Sequence, residues 1–176
     1  MKIGLEEDWE TPEGYRCAVV LHPAAGHRMG YIFIPSTDKA FREPEYQTFK
    51  MGEREYTKLK YEDYDIEVHA GITYGTEAEP GNDYPVAEER TGVWLGFDCA
   101  HCDDKPDFEA WGFMFEENDD TTAFDMLKEV DGKLWGKLGA GDDRHIWTTE
   151  EVIAECESMS RQIYIMTEGH LEKQND

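Results

Sequence analysis

The stretch that decides the fold is Gly92-Val93-Trp94-Leu95-Gly96-Phe97, followed at once by Asp98-Cys99-Ala100-His101-Cys102-Asp103-Asp104. Six residues with no polar side chain among them, bounded by a turn-rich approach and a polar exit, predict a strand apolar on both faces. Such a strand sits inside a sheet, with neighbours on either side. Upstream, Tyr15-Arg16-Cys17-Ala18-Val19-Val20-Leu21 and Met29-Gly30-Tyr31-Ile32-Phe33-Ile34 are separated by His22-Pro23-Ala24-Ala25-Gly26, and two apolar runs around a short Gly/Pro break predict an antiparallel pair. Ile66-Glu67-Val68-His69-Ala70-Gly71-Ile72-Thr73-Tyr74 alternates apolar with polar, which predicts a strand with Ile66, Val68, Ala70 and Ile72 on one face. A second, less regular alternation runs over Glu55–Tyr61. Residues 36–50 are expected to be irregular or weakly helical, because Pro44 interrupts them, and 75–91 to be a long loop.

Downstream, Thr148 with Glu151 fits a capping box, and Val152, Cys156, Met159, Ile163 and Met166 step by helical spacing. That stripe predicts a long C-terminal helix with one face on the core. Residues 123–130 fit either a short helix or a strand. The inventory is four to six strands and one strong helix. It predicts one α+β domain over 1–176, a mainly antiparallel sheet packed on the C-terminal helix, with an acidic excursion at about 98–143.

The chain has 176 residues, 40 acidic and 17 basic, for a formal charge of −23. Its hydrophobic fraction of 39 % is enough for a folded core, which argues against a disordered acidic tail. The charge is uneven: residues 1–60 carry 10 acidic and 9 basic side chains, whereas residues 61–143 carry 23 and 5, a net of −18. Cationic side chains are what a nucleic-acid binder needs to replace phosphate counterions, so direct binding to duplex DNA is disfavoured, as is an anionic membrane surface. The same field attracts cations or the basic groove of a protein that itself binds nucleic acid. No apolar run is long enough to cross a bilayer, and the segment from Met1 to Glu6 has no apolar core of a secretion signal. The expected location is the cytoplasm.

Two strand ends carry the side chains with chemical potential. If the strand holding His69 neighbours the one ending at Asp98, then His69, Asp98, His101 and Asp103 line one pocket, with Thr73 and Asp104 as further binding groups. His69 and His101, with Asp98, have the residue types for general acid–base cleavage of an ester or phosphodiester. Asp98, His101 and Asp103 have the types for a divalent transition metal. Cys99 and Cys102 form a Cys-x-x-Cys half-site for zinc, lacking a second ligand pair at suitable spacing. A purely structural role for the cluster also fits, the carboxylates capping a turn. His22 and His27 flank the Pro-Ala-Ala-Gly turn and are expected to be exposed; Cys17 and Cys156 fall in apolar patterns and are expected to be buried.

Gly30-Tyr31-Ile32-Phe33-Ile34-Pro35, Val68-His69-Ala70-Gly71-Ile72-Thr73-Tyr74 and Trp94-Leu95-Gly96-Phe97-Asp98-Cys99-Ala100-His101 together resemble a family of small phage and prophage proteins. The family pattern has a His-Gly-Gly-Leu-Thr strand and a Gly-Phe-Asp-Cys-Ala-His strand end. Here Ala70 stands for the first Gly of the pair, and Cys102 is not a residue the pattern requires. The resemblance covers the strands between about residues 30 and 104 and the last helix, leaving out 105–143. It implies a viral setting, where small acidic accessory proteins antagonise bacterial defence, including as anti-CRISPR proteins. Three functions are therefore carried forward: a binder that blocks a basic host factor, with nucleic-acid mimicry as its means, a small hydrolase or RNA- or nucleotide-cleaving enzyme using His69 and His101, and a protein that sequesters a nucleotide second messenger.

Overall fold

The computed structural model describes residues 4–60, 64–78, 81–115, 120–137 and 143–172, with backbone only at 58, 135–137 and 168–172. Its strands are β1 (Gly4–Glu10), β2 (Arg16–Leu21), β3 (Arg28–Pro35), β4 (Tyr46–Met51), β5 (Arg54–Leu59), β6 (Tyr74–Ala78) and β7 (Gly92–Asp98). The helices are α1 (Phe108–Gly112), α2 (Thr122–Lys137) and α3 (Thr149–Glu172). Five strands form an antiparallel sheet in the order β1-β2-β3-β7-β6, and β4 and β5 form a separate hairpin. The architecture is α+β, a mostly antiparallel sheet with a C-terminal helix, as the sequence predicts.

β7 lies between β3 and β6, and its six apolar residues are buried because both sheet faces are covered. On one face Cys17, Ile32, Leu95 and Phe97 pack against Val152, Cys156, Met159 and Ile163 of α3. On the other, Ala18, Tyr31, Phe33 and Trp94 are covered by Tyr74 of β6 and by Tyr84 and Val86; of the residues expected to form a loop over 75–91, 75–78 are instead strand, paired with β7. Gly30 is what lets α3 approach. A Cβ there would lie 2.4 Å from the Phe97 ring and 2.7 Å from the Cys156 sulfur. The helix start is a closed capping box, with Glu151 N–H donating to Thr148 Oγ1 at 3.2 Å and Thr148 N–H to Glu151 Oε2 at 2.8 Å.

Four expectations need correction. Residues 66–73 are not a strand: Ala70 (φ 52°) and Gly71 (φ 87°) both adopt left-handed backbone, which extended pairing cannot accommodate, and β6 begins only at Tyr74. Ile66, Val68 and Ile72 nonetheless pack on the α3 side of the core, so the alternation reflects burial without a strand, while Ala70 is exposed. Within the segment expected to be irregular, Tyr46–Met51 forms β4, paired residue for residue with β5. Residues 4–10, to which the sequence reading assigns no element, form β1, an edge strand that needs only one inward-facing side and places Trp9 on the core. With these additions the described residues hold seven strands, more than the four to six expected. Residues 123–130 belong to a helix, α2.

Candidate functional site

The site forms where β7 ends. Cys99 N–H still bonds to Arg28 O at 3.0 Å, after which Asp98 Oδ1 accepts from Ala100 N–H at 3.2 Å and the chain turns sharply. Asp104 closes this turn, its Oδ2 accepting from His101 N–H at 2.8 Å. An isolated parallel bridge then joins Asp104 to His145, with Lys105 N–H on His145 O at 2.7 Å and His145 N–H on Asp103 O at 2.9 Å. That bridge carries in the segment before α3, so Trp147 Nε1 reaches Asp104 Oδ1 at 2.9 Å. His69 arrives from the left-handed turn at 70–71, its amide held by Glu155 Oε2 of α3 at 3.1 Å and its Nε2 lying 3.0 Å from Asp104 Oδ2.

Asp104 is therefore a hub, 4 % exposed, with both oxygens engaged from three chain segments. Burial pushes its carboxyl up, but the hydrogen bonds from His69, the His101 amide and the Trp147 indole outweigh that and hold it below the ordinary carboxylate range. The His69 ring packs 4.3 Å from Trp147 and 5.4 Å from His101, centroid to centroid. Asp98 Oδ1 lies 3.7 Å from His101 Nε2, too far for a hydrogen bond. That nitrogen is buried without a partner, and so is Nδ1 of His27. Burial lowers the proton affinity of His27, opposed in part by a hydrogen bond to the Cys99 backbone and by the Asp104 and Asp98 charges.

Arg28, at the start of β3, braces this end of the sheet. Its buried guanidinium binds Glu6 of β1 at 2.7 Å, Asp107 at the head of α1 at 2.8 Å and the Trp147 carbonyl at 2.7 Å. Ion pairs to β1 and to the head of α1, and hydrogen bonds to Trp147 and Thr149 at the start of α3, thus tie these segments to β3.

Of the residues predicted from sequence, His69, Asp98, His101 and Asp104 are brought together. Asp103 contributes only its carbonyl to the bridge, and its side chain is exposed. Thr73 is fixed through the sheet, its N–H on Gly96 O at 2.9 Å. The expected metal set of Asp98, His101 and Asp103 does not assemble: among the described residues no group of three or more His, Cys, Asp or Glu is placed to hold an ion. The Cys-x-x-Cys pair is split, with Cys99 buried and Cys102 exposed.

Two participants were not foreseen. His27, expected in solvent, is half-buried, because the register that sets Arg28 beside Cys99 tucks the preceding residue under the 98–104 turn. Trp147 stands just before the capping box, the position where an apolar residue commonly staples the chain onto a helix start; that signal was present in the sequence. A further cavity, of about 350 Å³, opens elsewhere, between the hairpin strand β5 and Tyr64. Comparison of the chain with protein families, with curated proteins and with solved structures finds no match.

Proposed function

We propose that this protein is a phage-type accessory protein that acts by binding, its carboxylate-rich exterior occupying the basic groove of a host defence factor in the host cytoplasm. The observation that carries the reading is how the cations are used. Arg16 closes on Asp8 and Glu88, Arg28 on Glu6 and Asp107, Arg90 on Glu88, and Arg144 on Asp131. Internal ion pairs consume these guanidinium groups, while Asp65, Glu67, Asp83, Glu89, Asp103 and Glu109 stand exposed within the segment of net −18. A surface so biased repels nucleic acid and is drawn to the surfaces that nucleic acid occupies. Asp104 fits this reading as a fastener, since both its oxygens are already spent on protein donors.

The test is competition with DNA or RNA for a purified nucleic-acid-dependent defence nuclease. The wild-type chain is expected to displace the nucleic acid, more weakly as salt rises. A variant carrying Asp65→Lys, Glu67→Lys, Asp83→Lys and Glu89→Lys is expected to lose that inhibition. Equal inhibition by both would refute mimicry.

One observation favours a second reading, a small hydrolase: two imidazoles with ring centroids 5.4 Å apart, one of them oriented by a buried carboxylate. Full biological activity after His69→Ala or His101→Ala would remove it.

A further inference from the structure

The segment leading into the β4–β5 hairpin folds back onto the sheet and leaves a hollow there. Asp38 pins it, accepting from the Tyr15 hydroxyl at 3.2 Å and from the Ala40 amide at 2.7 Å, and Phe41 packs on the α3 side of the core. The end of β5 returns alongside, with Lys60 N–H on Glu45 O at 2.7 Å. Between residues 41–45, Leu59 and Tyr64 lies the cavity of about 350 Å³, with Val93 of β7 in its wall. That volume is at the small end of ligand sites, which run from roughly 300 to 1,000 Å³. Phe41, Leu59, Tyr64 and Val93 give it an apolar interior.

Four charged side chains share the wall, Arg42, Glu43, Glu45 and Lys60. Two of them satisfy each other, Lys60 Nζ bonding Glu45 Oε2 at 2.9 Å. Arg42 and Glu43 are both exposed, and neither forms an ion pair among the described residues. Arg16, Arg28, Arg90, Arg144 and Arg161 each have a carboxylate partner, so Arg42 is unusual in this acidic chain. Its guanidinium lies instead over the Tyr64 ring, 5.7 Å from the centroid. The Tyr64 hydroxyl accepts from Arg42 N–H at 3.1 Å, and its own proton has no acceptor among the described residues. Guanidinium and phenol thus offer hydrogen-bond donors, and Glu43 an uncommitted acceptor.

These groups discriminate by charge. A simple anion would engage Arg42 but meet Glu43 and the field of a chain carrying −23. A simple amine would engage Glu43 and leave both donors idle. A molecule with an acid and an amine on one carbon satisfies both sides, and its zero net charge spares it the repulsion. We infer that this cavity binds a free amino acid with a large apolar side chain, its carboxylate on Arg42 and the Tyr64 hydroxyl and its ammonium on Glu43. The side chain fills the space between Phe41, Leu59 and Val93. Arginine suits the role because it takes a carboxylate through two parallel N–H···O bonds. The site lies outside residues 61–143 except for Tyr64 and Val93, so it does not depend on the carboxylates assigned to mimicry.

Calorimetry on the full chain tests this with L-phenylalanine and L-leucine as probes. The comparison ligands are phenethylamine, which lacks the acid, 3-phenylpropanoate, which lacks the amine, and glycine, which lacks the side chain. At least one of the two probes is expected to bind at one site and to shift the Val93 methyl resonances. Phenethylamine, 3-phenylpropanoate and glycine are expected to bind at least tenfold more weakly than that probe. Arg42→Gln and Glu43→Gln, at exposed positions that leave the core intact, are each expected to weaken it at least tenfold. No saturable heat with either probe up to millimolar concentration would overturn the inference. So would a comparison ligand binding as tightly as the amino acid, unchanged affinity in either variant, or binding that leaves Val93 unmoved.

Discussion

His69 Nε2 lies 3.0 Å from Asp104 Oδ2, joining two positions 35 residues apart that belong to no common strand or helix. With the His101 amide and the Trp147 indole on the same carboxylate, Asp104 gathers three irregular segments whose backbone supplies little regular pairing of its own.

Asp104→Asn is therefore expected to cost about 2–3 kcal/mol, because the amide offers one acceptor oxygen where two are used and turns its own N–H groups toward donors. Urea unfolding followed by tryptophan fluorescence measures this. A change of less than about 0.5 kcal/mol, the level of an ordinary surface substitution, would show that the hub does not hold these segments.

How far this region was legible in the sequence depends on which interactions are local. β7 could be read because burial on both faces leaves a continuous apolar run, and α3 because its stripe and capping box are written within a few residues. The approach of His69 to His101 was foreseen, but for a wrong structural reason. Ile66, Val68 and Ile72 alternate because they dip onto the core from an irregular path, and a left-handed Ala70 leaves no trace in composition. β1 was hidden since an edge strand buries one side only, and acidic residues fill the other. His27 and Trp147 join the site through pairings between distant segments, which no short window contains.

Glu88 gives a pH-dependent prediction. The Arg90 guanidinium, its backbone amide and Arg16 all donate to this buried carboxylate, and they outweigh burial to bring its pKa down to about 2, from 4.5. A carboxyl with a depressed folded-state pKa stabilises the fold above its unfolded value, and that contribution is lost as pH falls through the folded value. Wild type is thus expected to exceed Glu88→Gln by about 1–2 kcal/mol near neutral pH, after allowing for solvent screening at the Arg90 side. The gap should narrow below pH 4.5 and close near pH 2. Thermal unfolding midpoints of both chains across that range measure it; a gap constant with pH would mean the carboxylate charge is not what Arg16 and Arg90 stabilise.

The cysteines separate the two meanings of a Cys-x-x-Cys sequence. Thiol reagents attack the thiolate, so reactivity needs both exposure and an accessible ionised form. Cys102 is exposed, whereas Cys17, Cys99 and Cys156 are buried. Burial pushes the Cys99 thiol up, and a hydrogen bond to Cys156 together with burial does the same to Cys17. The native chain is expected to react with a chromogenic disulfide at one thiol quickly, and at all four only in denaturant. Cys102→Ser should abolish the fast phase and leave stability within about 0.5 kcal/mol, as for other exposed positions. Cys99→Ser should cost about 1–3 kcal/mol, since a hydroxyl replaces a buried sulfur without a partner provided for it. Two fast thiols in the native chain would place Cys99 within reach of Cys102 chemistry and reopen the zinc reading. A single one confines Cys99 to packing at the end of β7, where its amide continues the sheet and its side chain fills the core.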